Sequence, residues 1–218
     1  MINFENHNVM KDQSKHIAGW YDRIFEPMNS GLRKIGLKMY PVKPGMDILD
    51  IGCGTGSHLK LYRDRKCNVS GIDLSPAMIK IAEKKLGDNA DLKLVDAANT
   101  GFGDNKFDLI LSSTVLHEMS PQVRSDVLKE IKRILKNDGR LLIIDFHPGP
   151  LKKPKGIYSK VIITLSEILA GREHHKNYRN FMKNGGLPGL IQFSDFIIEE
   201  KKIVSGGNFG IYLLKLKD

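Results

Sequence analysis

Two spacings of apolar residues alternate along most of the chain. Short runs that are apolar nearly throughout read as strands buried on both faces: Ile48, Leu49 and Ile51, then Phe107 to Leu111, then Arg140 to Phe146. A strand covered by helices on either side has no polar face with which to alternate. Asn68 to Asp73 and Leu92 to Val95 belong to the same series, the latter ending at Asp96. Between these runs the spacing becomes helical. A helix is predicted from Ser57 to Lys66, and Met78, Ile79, Ile81, Ala82 and Leu86 give the next one its apolar face, with Ser75-Pro76 as N-cap and first residue and Gly87 as terminator. Pro121 opens a longer amphipathic helix through Val123, Val127, Leu128, Ile131, Ile134 and Leu135, expected to end at Asn137-Asp138-Gly139. A β-α-β alternation of this kind predicts an α/β fold, a parallel sheet with helices on both faces.

The alternation fails at both ends. From Lys15 to Tyr40, apolar residues including Ile17, Trp20, Tyr21, Ile24 and Phe25 recur at three- and four-residue steps, broken near Pro27. After the rigid His147-Pro148-Gly149-Pro150 bend, Ile157 to Leu169 reads as a buried or capping helix stopped by Gly171, and Arg172 to Phe181 as a polar one ended by Gly185-Gly186. Phe196 to Val204 and Phe209 to Leu216 read as two strands joined through Gly206-Gly207. The expected organisation is one domain over residues 1–218: a helical cap at 1–44, a core at 45–150, a cap insertion at 151–191 and a strand pair at 192–218.

Composition narrows this further. A chain of 218 residues with 41% hydrophobic residues is ample for one core. No apolar run reaches the ~18 residues of a membrane span, and the first residues lack the pattern of a secretion signal, so a cytoplasmic location is expected. The two cysteines, Cys53 and Cys67, form no disulfide framework and no metal-ligand spacing. Net charge is +9, yet residues 45–150 balance at fifteen basic and fifteen acidic, so the surplus lies in 1–44 and 151–218. Basic flanks suit an anionic lipid surface, an anionic substrate or nucleic acid.

The chemistry concentrates at M-D-I-L-D-I-G-C-G-T-G-S, residues 46–57. A buried strand here breaks into glycines at Gly52, Gly54 and Gly56 and resumes as a helix, as a ligand approaching the main chain requires. Asp50 stands two residues before the first glycine. About twenty residues on, a second strand ends in Asp73, placed to accept hydrogen bonds from both hydroxyls of a ribose. Together they point to a nucleoside-containing cofactor.

The series DILDIGCGTG, GIDLSPAMI, FDLILSSTVLHEM and LKNDGRLLIID, in that order, resembles the class I S-adenosylmethionine-dependent methyltransferases, in particular their ubiquinone/menaquinone-biosynthesis-like small-molecule group, over roughly residues 15–218. The resemblance implies a Rossmann-like, mostly parallel seven-stranded sheet with an antiparallel last strand and a helical cap over the active site. It implies S-adenosylmethionine as methyl donor and S-adenosylhomocysteine as product. It places Asp50, Gly52, Cys53, Gly54, Gly56, Asp73, Leu74, Asp96, Ala97 and Ser112 around the cofactor, with Asp96 receiving the adenine amino group and Tyr21 capping the methionine end.

Methyl transfer needs chiefly alignment of acceptor, methyl and departing sulfur, with a base only where the acceptor atom must lose a proton. His117, leaving the fourth strand at the carboxyl edge of the sheet, and His174 and Tyr178, sharing a helix face, are the candidates for proton removal or acceptor orientation. His174 and His175 project about a hundred degrees apart on a helix, so no metal is expected. A quinone-like or lipid-like small molecule is the expected acceptor. An RNA methyltransferase and an NAD-binding Rossmann protein are the alternatives. The absence of an N-P-P-Y-type tetrad at Ser112-Ser113-Thr114-Val115 speaks against the first, and the G-x-G-x-G spacing against the second.

Overall fold

The apolar runs become the central strands, and their burial explains why they carry so little polarity. The computed structural model describes residues 29–217. Its strands are β1 (Asp47–Ile51), β2 (Asn68–Asp73), β3 (Ala90–Leu94), β4 (Phe107–Ser113), β5 (Leu135–Phe146), β6 (Phe196–Val204) and β7 (Phe209–Leu216). They form one seven-stranded sheet in the order β3-β2-β1-β4-β5-β7-β6. β1 to β5 pair parallel to their neighbours, while β7 runs antiparallel to both β5 and β6. Ile48, Leu49, Leu109, Ile110, Leu142 and Ile143 are fully enclosed in the middle of this sheet.

The helices are α1 (residues 29–39), α2 (Ser57–Arg63), α3 (Pro76–Leu86), α4 (Pro121–Ile134), α5 (Lys155–Leu169), α6 (Arg172–Lys183) and α7 (Gly186–Gln192). α3 is capped as its sequence predicts: the Ser75 side chain accepts from the Met78 N–H, Pro76 is the first residue and Gly87 follows the last. α1 lies close on β5, since a Cβ at Gly36 would stand 2.8 Å from Leu142 Cδ2. The rest of the expected amino-terminal helix, with Trp20, Tyr21 and Pro27, lies outside the described residues. Among the described residues no helix is long and apolar enough to cross a membrane.

Several boundaries differ from expectation, each for a local reason. α4 ends at Ile134 and not at Asn137-Asp138-Gly139, because Leu135 adopts an extended conformation and pairs with Phe107, where both side chains are buried. The register then shifts so that Leu109 pairs with Arg140, and the polar residues between are accommodated as an irregularity in β5. Val123, expected on the inner face, remains 38% exposed. α2 stops at Arg63, short of Lys66, which takes a left-handed φ of 62°. β3 begins earlier than expected, at Ala90. α7 has no counterpart in the sequence expectations: Pro188 and Gly189 obscure its helical spacing, but Leu187 and Ile191 bury one side of it.

Candidate active site

In this strand order the chain's neighbours diverge between β1 and β4, and ligands of open α/β sheets bind at the carboxyl ends of strands beside such a switch point. Two groups of functional side chains meet that edge. The first follows β1. Gly52, Gly54 and Gly56 all have left-handed φ, at 66°, 52° and 74°. Their environments differ. A Cβ at Gly52 would stand 2.5 Å from Val115 Cγ2, whereas one at Gly54 would meet nothing within 4 Å among the described residues. Gly52 therefore serves packing between the β1 and β4 loops, and Gly54 leaves open space along the main chain, the feature a cofactor cradle needs.

Around that space, Asp73 at the end of β2 accepts from the Gly54 N–H through Oδ2 at 2.9 Å and from the Ser75 N–H through Oδ1 at 2.8 Å. A carboxylate offers about four lone-pair positions, so acceptor capacity remains for a ligand hydroxyl. Burial raises the Asp73 pKa, against the backbone N–H groups of Ser75, Gly54 and Leu74. Asp50 is buried, and its Oδ1 has no hydrogen-bond partner among the described residues. Burial pushes its pKa up to about 7, with Arg33 opposing and Asp73 reinforcing. Ser112 Oγ is likewise buried without a partner among the described residues. Such atoms are costly unless something else supplies the bond. Asp96 holds the Ala98 N–H in a tight turn at 2.9 Å beside buried Ala97, and Leu74 stands half exposed next to Asp73. Cys53 is turned inward: its N–H bonds the Ile72 carbonyl, its carbonyl accepts from Gly56, and its buried thiol packs over Gly71. It shapes the bend through these internal contacts. Tyr21 lies outside the described residues.

The second group follows β4. The helical turn Leu116–Glu118 presents His117, which is buried. His117 Nδ1 lies 2.8 Å from Asp145 Oδ1, and Asp145 Oδ2 accepts from the backbone N–H groups of Leu116 and His117. The other nitrogen, Nε2, faces Glu167 Oε2 at 3.6 Å and Glu118 Oε1 at 4.0 Å. Glu167, from α5, in turn holds His174 Nε2, from α6, at 2.7 Å. Burial disfavours the charged form of His117, but Asp145, Glu118 and Glu167 outweigh it and raise its pKa to about 9. For His174 burial is likewise outweighed, by Glu167 and Glu118, and its pKa is raised. The ring centroids of His117 and His174 are 5.6 Å apart, and those of His117 and Tyr178 6.3 Å. The three candidates are thus gathered at one place, though the Tyr178 hydroxyl is bonded by Lys160 Nζ at 2.8 Å.

Four residues of the site were not among the sequence candidates. Asp145 and Glu167 had a signal, a lone acid inside an apolar run, as in Leu-Leu-Ile-Ile-Asp-Phe. Glu118 had none beyond its neighbour. His58, on α2, is buried, with neither nitrogen hydrogen-bonded among the described residues and Nδ1 3.9 Å from Asp50 Oδ2; burial, helped by Arg33, lowers its pKa to about 3.

A family described as a methyltransferase domain matches residues 49–143. The chain is 32% identical over 169 residues to a ubiquinone/menaquinone biosynthesis C-methyltransferase of Paraburkholderia phytofirmans, covering 71% of this chain and 68% of that protein. It is 31% identical over 171 residues to a demethylmenaquinone methyltransferase of Thermotoga maritima, covering 72% and 73%. In fold it is similar to the PH0226 protein of Pyrococcus horikoshii, with a TM-score of 0.69, 20% identity and coverage of 90% and 98%. It is also similar to a Burkholderia thailandensis 1,6-didemethyltoxoflavin-N1-methyltransferase solved with S-adenosylhomocysteine, with a TM-score of 0.63, 17% identity and coverage of 91% and 81%.

Proposed function

The chain belongs to the class I S-adenosylmethionine-dependent methyltransferases of the ubiquinone/menaquinone-biosynthesis type, and from that premise we propose that it methylates a quinone-like small molecule at the edge between β1 and β4. It is an S-adenosylmethionine-dependent enzyme acting on a small-molecule acceptor. The cofactor supplies an electrophilic methyl carbon on a sulfonium. The residues of the chain hold, orient and exclude water. In this reading Asp73 takes the ribose hydroxyls, Asp96 with Leu74 and Ala97 the adenine, and Asp50, Ser112 and the Gly52–Gly56 turn the remainder. Tyr21 closes the methionine end. His117, His174 and Tyr178 orient the acceptor.

The observation that carries the reading is the main chain at Gly54, open among the described residues and bonded to Asp73, together with buried oxygens of Asp50 and Ser112, on adjacent strands, that have no partner among those residues. The quinone-like acceptor follows from the names of the relatives, which are quinone-biosynthesis methyltransferases. Calorimetric titration with S-adenosylhomocysteine tests the cofactor site. Saturable micromolar binding, weakened at least tenfold in Asp73→Ala and absent for NAD, is expected. No binding of S-adenosylhomocysteine would overturn the reading.

An acceptor drawn from a lipid phase suits the exterior. α5 exposes Tyr158, Val161, Leu165 and Leu169, and Arg172, Lys176, Arg179 and Lys183 lie exposed at helical spacing along α6. We infer peripheral contact of this cap with an anionic membrane surface.

A further inference from the structure

We propose that His117, Glu118, Glu167 and His174 form a binding site for one divalent transition-metal ion, which fastens the α5–α6 cap to the carboxyl edge of the sheet. A metal-ligating atom of His117, one of Glu118 and one of His174 all lie within 4.8 Å of one another. Glu167 Oε2 stands between the two imidazoles, 3.6 Å from His117 Nε2 and 2.7 Å from His174 Nε2. Bonds of about 2.1 Å place ligand atoms about 3.0–3.4 Å apart when adjacent and about 4.2 Å when opposite. The observed spacings need only small side-chain adjustments to reach that geometry.

The surroundings are those of a ligand set and not of a chance contact. Metal-bound histidines characteristically donate their other N–H to a carboxylate, which fixes the tautomer and aims the lone pair. Asp145, 0% exposed, does this for His117: Nδ1–H bonds Asp145, and Nε2, which faces Glu167 and Glu118, gives up its proton to present its lone pair when the ion binds. Asn177 Nδ2 donates to the Glu118 carbonyl at 2.8 Å and steadies the turn that carries it. Three carboxylates (Asp145, Glu118 and Glu167) meet two imidazoles here, and a divalent ion offsets most of that negative charge. Arg124, which feels Asp145, is committed to the Met119 carbonyl and to Asn180. Lys160 is committed to Tyr178. Two imidazoles in the set favour zinc, manganese, iron(II) or cobalt over magnesium or calcium.

The four ligands come from the turn after β4, from α5 and from α6, so sequence spacing gives no sign of them. The expectation of no metal considered the neighbours His174 and His175, and His175 takes no part. A further consequence rests on the methyltransferase reading: an exchangeable position on the ion would receive an oxygen of the acceptor and hold it beside the cofactor edge.

The test uses the untagged full chain, stripped with chelator and dialysed. Titration with Zn²⁺ by calorimetry and with Co²⁺ by visible absorption is expected to give one equivalent bound at micromolar affinity or tighter. His174→Ala and Glu167→Gln, at the cap and not in the sheet, are expected to weaken binding at least a hundredfold, while His175→Ala leaves it unchanged. Zn²⁺ should raise the melting temperature of the wild type and not of His174→Ala. Absent or substoichiometric binding, or binding indifferent to His174→Ala and Glu167→Gln, overturns the proposal. S-adenosylhomocysteine titrations on the same preparations separate the two readings. Cofactor binding without metal binding removes only the metal site, and metal binding without cofactor binding removes only the methyltransferase assignment.

Discussion

Residues of the same type carry different duties in the glycine turn, and substitution separates them. Gly52 combines a left-handed φ of 66° with a Cβ position 2.5 Å from Val115 Cγ2. Gly52→Ala therefore adds overpacking to backbone strain and is expected to cost about 3 kcal/mol in urea unfolding. Gly54 has a similar φ, 52°, but open space. Gly54→Ala is expected to cost only about 1 kcal/mol, while raising the S-adenosylhomocysteine dissociation constant at least tenfold, because its methyl group would enter the cradle. Equal stability losses with unchanged binding in both would contradict this division. At this scale the sequence was legible where a motif forces a conformation, as at Asp50, Asp73 and the three glycines. It was silent on Glu118, whose meaning depends on residues distant in the chain.

Within elements, the α4 helix shows how one buried carboxylate fastens a loop. Glu130 Oε1 accepts from the Thr100 N–H at 2.9 Å, the Thr100 hydroxyl at 2.6 Å and Arg133 Nη2 at 2.7 Å, and Arg133 Nη2 also bonds the Phe102 carbonyl. Hydrogen bonding from Arg133, with Thr100 and against burial, lowers the Glu130 pKa from 4.5 to about 2. A carboxylate whose folded pKa is depressed adds stability that is complete above its ordinary value and is lost as pH falls through the folded value. That contribution is on the order of 3 kcal/mol at neutral pH. The difference in unfolding free energy between wild type and Glu130→Gln is thus expected to be constant above about pH 6 and to close between pH 4.5 and 2. A gap independent of pH would show that the pair contributes through packing alone. The caps of α3 and the strands β6 and β7 were read directly from the sequence, whereas α7 and the end of α4 were not. Leu135 decides the latter by pairing with Phe107 across the sheet, a long-range gain that outweighs local helical spacing.

Over the whole molecule, charge and apolar surface are distributed unequally. The residues of 45–150 are neutral in sum, while 151–218 carry twelve basic and six acidic residues. Those residues include the exposed apolar side of α5 and the basic stripe of α6. Sedimentation with anionic vesicles is expected to capture the protein in a salt-sensitive way. Leu165→Glu with Leu169→Glu should weaken that capture at least tenfold without altering S-adenosylhomocysteine affinity, because both side chains are exposed, at 56% and 83%. Capture that ignores both salt and these substitutions would place the lipid contact elsewhere or remove it.

The sequence by itself determined the α/β alternation, the left-handed glycine turn after the first strand, the acid that ends the second, and the two strands that complete the sheet. These follow from local rules: strand and helix periodicity, the backbone freedom of glycine, and capping chemistry act over a few neighbouring residues. Only the tertiary structure decided that His117, Asp145, Glu118, Glu167 and His174 share one site, that Cys53 faces inward, and that Leu135 leaves α4 for β5. Each of these depends on which elements lie side by side at the carboxyl edge, and the order β3-β2-β1-β4-β5-β7-β6, not distance along the chain, sets those neighbours.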